Sequence, residues 1–176
     1  MLHKRKLKNK VVKIIEKTLV LLKTDAVERA LVGKIIERFE NAGLKIIGMK
    51  MQWIDVEFAK KHYTEDVAKR RGKHVREWLL EYITEGPVIA MVLEGLHAVE
   101  VVRKIVGPTE PRTAPAGTIR GDFAFVSYDF ADKKKKAIRN LIHASGDKKD
   151  AEYETKIWFK PEEIHSYETV HEKHLR

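Results

Sequence analysis

Residues 18–22 read TLVLL and are followed at once by Lys23-Thr24-Asp25. A short apolar run rich in β-branched residues, closed by charged and turn-forming residues, predicts a buried strand. Outward from it, Leu31, Ile35, Ile36 and Phe39 recur at helical spacing, and Asn41-Ala42-Gly43 supplies a C-terminal stop. Residues 44–54 (LKIIGMKMQWI) alternate apolar and polar along much of their length, as a half-buried strand does. Asp55 is placed to cap a helix running to about His62. Residues 73–84 form a second helical stretch with Val75, Trp78, Leu79 and Ile83 on one face. Gly86-Pro87 ends it, and residues 88–93 (VIAMVL) are an apolar strand.

Further along, residues 96–106 read as a helix that stops at Gly107-Pro108. Pro111, Pro115 and Gly117 make residues 109–118 an ordered loop. Residues 123–130 are expected to be extended and residues 131–139 a lysine-rich helix. A short strand at Leu141 and Ile142, a helix over 148–158 and a last short helix opened by Pro161 complete the chain. The order β-α-β-α-α-β-α-loop-β-α favours an α+β fold. The expected form is a ferredoxin-like antiparallel sheet with helices packed on one face, one domain with an added C-terminal segment.

A chain of 176 residues, 43% hydrophobic, fits one compact domain and is not disordered throughout. No apolar run is long enough to span a bilayer, so no membrane partner is expected. The absence of cysteine excludes disulfides and thiolate zinc sites. Together with a charged content of 35% rich in Lys and Glu, it suits the cytoplasm of a thermophile. The net charge of +9 is concentrated at one end: Lys4, Arg5, Lys6, Lys8, Lys10, Lys13 and Lys17 face only Glu16. Residues 1–17 are therefore read as a basic N-terminal extension, a solvated tail or, alternatively, a contact to nucleic acid or an anionic membrane, and residues 18–176 as the folded domain.

Motif by motif, a glycine-rich phosphate loop, a dinucleotide fingerprint, a zinc-protease helix and a nucleophile elbow are all missing. Two stretches remain. In Asn140-Leu-Ile-His143-Ala-Ser145-Gly-Asp147 a histidine ends a short apolar strand beside small residues, with Ser145 as a nearby donor and Glu154 on the following helix. That is the support a nucleophilic imidazole needs, because one fixed nitrogen must be presented. A histidine merely satisfied in a strand–helix turn fits the same residues. Around the proline-bearing loop, Arg103, Thr109 and Arg120 could clamp phosphate oxygens, but from these residues alone an Arg120–Asp122 ion pair, with Arg103 on a solvated helix face, is the favoured reading. Lys23 is either a phosphate contact or a polar strand end.

Taken in series, these pieces resemble the nucleoside diphosphate kinases. TLVLLKTDAV at 18–27 is similar to the family's opening strand, residues 29–39 to its R-x-L-[VI]-G-x-I-[IL]-x-R-[FL] helix, and His62-Tyr63 to its H-Y element. GPVIAMVLEG (86–95), Gly107-x-Thr109-x-Pro111, Pro115-Ala-Gly117-Thr-Ile-Arg120-Gly-Asp-Phe and Asn140-x-x-His143-Ala-Ser145 follow in order, with Glu154 and Trp158-Phe159 at the family's distance. The resemblance covers residues 18–168. It implies ping-pong transfer of the γ-phosphoryl group from a nucleoside triphosphate to a diphosphate through phospho-His143. Lys23, Tyr63 and Asn140 would surround the transferring group and the ribose hydroxyl, while Arg103, Thr109 and Arg120 would bind the distal phosphates. Ser145 and Glu154 would orient the histidine. Mg²⁺ would arrive bridging the nucleotide phosphates, and a homo-oligomer, tetramer or hexamer, would be the working assembly.

Four departures from that pattern stand out. Thr24 replaces the usual proline after the lysine. Val75 aligns with an aromatic residue that stacks on the base. Gly146 replaces an aspartate, leaving Asp147 as the cap candidate. Extra residues lie between Phe123 and Asn140, including the run Lys133-Lys-Lys-Lys136, as in an archaeal-like member. They read as a surface helix or hairpin, or as a phosphate-attracting rim to the site.

Overall fold

In the computed structural model of the chain, residues 14–170 and residue 172 are described. The run at 18–22 is the core of the first strand, β1 (Ile15–Leu22), which begins upstream of the apolar residues and so takes in the end of the expected basic extension. The rest of that extension, residues 1–13, lies outside the described residues. β1 is central: it pairs antiparallel with β3 (Val88–Leu96), Leu19 opposite Val92, and with β4 (Ile142–Ala144), Leu21 opposite His143. β2 (Lys45–Gln52) pairs antiparallel with β3 through a bulge between Ile46 and Gly48, giving the order β2-β3-β1-β4.

Helices cover both faces of this sheet, where one covered face was expected. Val20 and Leu22 pack with Met91 and Leu93 against α2 (Val32–Asn41) and α6 (Ala98–Val106), through Ile35, Phe39, Val102 and Val106. Leu19 and Leu21 face the other way, into α3 (Val56–His62), α5 (Lys73–Thr84) and α9 (Lys148–Trp158), through Ala59, Ile83 and Trp158. Alternation on a strand puts successive side chains on opposite faces, so four consecutive apolar residues, Leu19 to Leu22, demand a cover on each side. Two short helices complete these layers: α1 (Thr24–Glu28), directly after β1, and α4 (Glu65–Arg71), between α3 and α5.

The stretch 119–139 differs most from expectation. Thr118 accepts from Gly121 N–H to cap α7 (Ile119–Phe123), and Ser127 accepts from Phe130 N–H to cap α8 (Tyr128–Lys133). The lysine run does not continue that helix: Lys135 adopts φ 51° and the chain turns away. Elsewhere punctuation is followed closely, with Asp55 capping α3 through Phe58 N–H and Asp147 capping α9 through Asp150 N–H. Beyond α9 the added C-terminal segment lies along β2. His165 N–H donates to Ile47 O at 2.7 Å, and Lys45 Nζ bridges Glu94 at 2.8 Å and Glu172 at 2.9 Å. Gly48 permits this approach, since a Cβ there would stand 3.0 Å from Glu163 O.

Candidate active site

Where β1 ends, the chain positions the site by a set of buried polar contacts. Lys23 N–H donates to Leu141 O at 2.8 Å, and its ammonium donates to Asn140 Oδ1 at 2.7 Å. Asn140 Nδ2 in turn donates to Thr109 O at 2.8 Å, tying the proline-bearing loop to β4. Asp25 Oδ2 accepts from Leu141 N–H at 3.1 Å and Asp25 Oδ1 from the Tyr82 hydroxyl at 2.5 Å. These bonds hold Leu141 at φ 68°, a left-handed backbone that a leucine rarely adopts, two residues before His143. Thr24, in the proline's place, is fully buried and packs its methyl group against Gly86.

His143 stands on β4 at the wall of a cavity of about 870 Å³. Its Nε2 lies 2.9 Å from Glu154 Oε2 on α9, which also accepts from Ser145 Oγ at 2.6 Å. Ser145 therefore does not touch the imidazole; it fixes the carboxylate that does. Burial opposes the charge on Glu154, but the His143 ring, His62 and the Ser145 hydroxyl outweigh it and hold the carboxyl at about 2. With a carboxylate on Nε2, that nitrogen carries the proton and Nδ1 keeps its lone pair.

Behind His143 sits His62, a residue whose role the sequence did not reveal. Its ring meets His143 edge to face with centroids 4.5 Å apart, and its Nδ1 accepts from Trp158 Nε1–H at 3.4 Å. Burial, then His143, push its proton affinity down to about 3, so it is neutral at physiological pH. Donor atoms of His62, His143 and Glu154 come within 4.8 Å of one another. The 2.9 Å separation of His143 and Glu154 is nonetheless a hydrogen-bond distance, shorter than the roughly 3.3 Å between two ligands on tetrahedral zinc. In this arrangement His143 and Glu154 form a hydrogen-bonded pair, with the His62 ring packed edge to face behind it.

The cavity floor is cationic. Lys23 is 5% exposed, and burial followed by the charge of Arg120 lowers it to about 7. Arg120 spends three N–H groups on backbone carbonyls: Asn140 O at 3.2 Å, Gly107 O at 2.8 Å and Ile142 O at 2.6 Å. Burial lowers it to about 10, so it stays charged, with two N–H groups of its five unspent. The alternative Arg120–Asp122 pair is not formed, because Asp122 pairs with Arg38 at 2.7 Å. Arg103, exposed on α6, lines the cavity, and its guanidinium has no hydrogen-bond or ion-pair partner among the described residues. Thr109 and Tyr63 line it too, and the Tyr63 hydroxyl is buried without a partner.

Apolar side chains line the cavity as well, among them Val67, Val75, Leu79 and Ile138. All ten residues singled out in the sequence thus fall in one site, nine lining the cavity and Ser145 just behind it. A family profile described as nucleoside diphosphate kinase matches residues 16–164. This chain belongs to the nucleoside diphosphate kinase family. It is 54% identical over 153 residues to the nucleoside diphosphate kinase of Pyrococcus furiosus, covering 87% of this chain and 88% of that one. A solved structure of the Borrelia burgdorferi enzyme, a transition-state mimic with bound vanadate and ADP, superposes with TM-score 0.90 at 42% identity, covering 92% of this chain and 97% of that one. The Pyrobaculum aerophilum NDP kinase superposes with TM-score 0.81 at 38% identity, over 86% and 100% of the two chains. The family's reaction is phosphoryl transfer between nucleotides, and this chain is an enzyme of that class.

Proposed function

We propose that the enzyme moves the γ-phosphoryl group of a nucleoside triphosphate to a nucleoside diphosphate in two half-reactions, with His143 Nδ1 as the carrier. The observation that carries this reading is the 2.9 Å contact of Nε2 with Glu154, which leaves Nδ1 as the nucleophilic nitrogen. In the first step the Nδ1 lone pair forms a bond to the γ-phosphorus. The bond from that phosphorus to the bridging oxygen breaks, and the diphosphate departs. Positive charge that develops on the ring is met at Nε2–H by Glu154, itself held by Ser145. In the second step a terminal oxygen of an acceptor diphosphate takes the group and the nitrogen–phosphorus bond breaks.

Such chemistry depends on positioning and charge neutralisation more than on covalent catalysis. Lys23, Tyr63 and Asn140 ring the transferring group and the ribose hydroxyl, and Arg103, Thr109 and the two free N–H groups of Arg120 receive the distal phosphates. Asp66, Asp132 and Asp150 also line the cavity, and Asp25 lies close enough to Lys23 to favour its charged form. Mg²⁺ would arrive with the nucleotide substrate and help to neutralise its phosphate charge beside Lys23, Arg103 and Arg120. Val75 and Leu79 give the base an aliphatic wall, which favours broad base acceptance.

On the edge strand β2, Met49 and Met51 are 56% and 60% exposed, and Trp53 just beyond it is 67% exposed, an apolar patch that supports a subunit interface; the assembly we propose is a homo-oligomer, tetramer or hexamer. No described helix is long and apolar enough to cross a membrane. With the cysteine-free, lysine- and glutamate-rich composition, this accords with work in a thermophile's cytoplasm. The experiment is brief incubation with γ-labelled ATP, then removal of free nucleotide. The expected product is an acid-labile, alkali-stable label that GDP discharges as GTP and that His143→Ala does not form. A wild-type protein that stays unlabelled while converting diphosphates would replace the carrier mechanism with direct transfer.

A further inference from the structure

The extra residues between Phe123 and Asn140 do not stand off the enzyme. Arg112 N–H donates to Val126 O at 3.2 Å and Tyr128 N–H to Glu110 Oε1 at 3.0 Å, so the segment is tied to the loop that carries Thr109. From the capped helix α8, Tyr128 and Asp132 line the cavity, and Lys136 joins them just beyond it. Arg71, at the end of α4, lines the cavity as well, and its Nη1 donates to Tyr128 Oη at 3.4 Å.

That contact leaves something over. A phenol can accept from a guanidinium and still hold one O–H proton to give, and no acceptor for it is present among the described residues. Tyr128 and Arg120 line the same cavity. A hydroxyl donor held by one arginine, in a cavity lined by Lys23, Arg103 and Arg120 as well, is placed for an anion.

We propose that Tyr128 is a phosphate-binding residue of this enzyme: its hydroxyl, oriented by Arg71, donates to an oxygen of a phosphate that is not transferred. The proposal rests on reading the cavity as the nucleotide site. It gives the inserted segment a role in holding substrate, through a side chain that the family pattern does not supply. The same donor serves diphosphate and triphosphate and takes no account of the base.

The test is Tyr128→Phe, which removes one oxygen and keeps the ring. Calorimetric titration with Mg·ADP and with tripolyphosphate, a probe without base or sugar, is expected to show both bound about tenfold more weakly, about 1.4 kcal/mol. Arg71→Met should weaken both similarly, and the double variant should lose little more than either single one, because the two side chains act through one contact. Unchanged ADP affinity in Tyr128→Phe overturns the proposal. So does a loss confined to ADP, which would put the ring against the base. Fully additive losses would remove Arg71 from it. A wild-type protein that takes no label from ATP would refute the carrier role of His143 instead, and the tripolyphosphate arm would still decide Tyr128.

Discussion

Binding a nucleotide should change the charge of Lys23, and the change can be counted. Its ammonium is 5% exposed, and burial together with Arg120 and Arg139, against Asp25, brings its pKa from 10.5 to about 7 in the ligand-free protein. One phosphate charge about 4 Å away, at an effective dielectric constant of about 20, contributes about 4 kcal/mol. At about 1.36 kcal/mol per pH unit this restores about three units and returns the lysine to about 10. The nucleotide's own phosphates are already ionised above pH ~7, their second ionisation lying near ~6. At pH ~8.5, binding of Mg·ADP should therefore take up close to one proton; at pH ~6 it should take up almost none.

Two measurements check this. The calorimetric enthalpy of binding at pH ~8.5 should differ between HEPES and Tris by nearly the difference in their ionisation enthalpies. Affinity should also weaken about fifty-fold from pH ~7 to ~9, as the protonated ligand-free form becomes scarce. Lys23→Met should remove both effects. The stability of the ligand-free protein runs the other way. A lysine whose folded pKa lies below its unfolded value binds fewer protons when folded, so its contribution is full above 10.5 and is lost as pH falls through about 7. Equal enthalpies in the two buffers, with a flat affinity profile, would refute the assignment of a neutral Lys23.

Two further predictions follow from the support around the site. His62 has its proton affinity depressed from 6.5 to about 3, so its stabilising contribution is complete above pH 6.5 and is lost as pH falls towards about 3. Urea unfolding between those limits should show stability dropping by up to about 1.4 kcal/mol per unit from this residue, and His62→Gln should flatten the slope by that amount; an unaltered slope would assign the acid sensitivity elsewhere. A Cβ at Gly121 would stand 2.0 Å from Pro115 O, so Gly121→Ala must displace backbone beside Arg120. It should cost about 3 kcal/mol and raise KM for nucleotides, read by urea titration and steady-state kinetics; wild-type stability would contradict the geometry.

What was legible in the sequence was local. α3, α5 and α9 begin or end at residues whose chemistry stops a helix, and Asp55 and Asp147 cap where their side chains suggested. The Ser127 cap of α8 was equally visible, but the lysine run drew the expected helix downstream, to a place where Lys135 turns the chain. The second layer of helices was also implicit in TLVLL, which has no polar face to leave in water. Site residues that follow one another closely, His143 and Glu154 above all, could be paired by spacing once the resemblance had fixed their order. Those that meet across the sheet could not. Tyr82 reaches Asp25 and Trp158 reaches His62 over long stretches of chain, and burial is what makes them matter. Arg120 shows why such roles escape a linear reading. Seen as a phosphate clamp, it is also the brace that binds Asn140, Ile142 and Gly107, so the same guanidinium that would neutralise substrate fixes the strand from which His143 projects. Replacing it would remove charge and geometry together, since only two of its five N–H groups are left for a ligand.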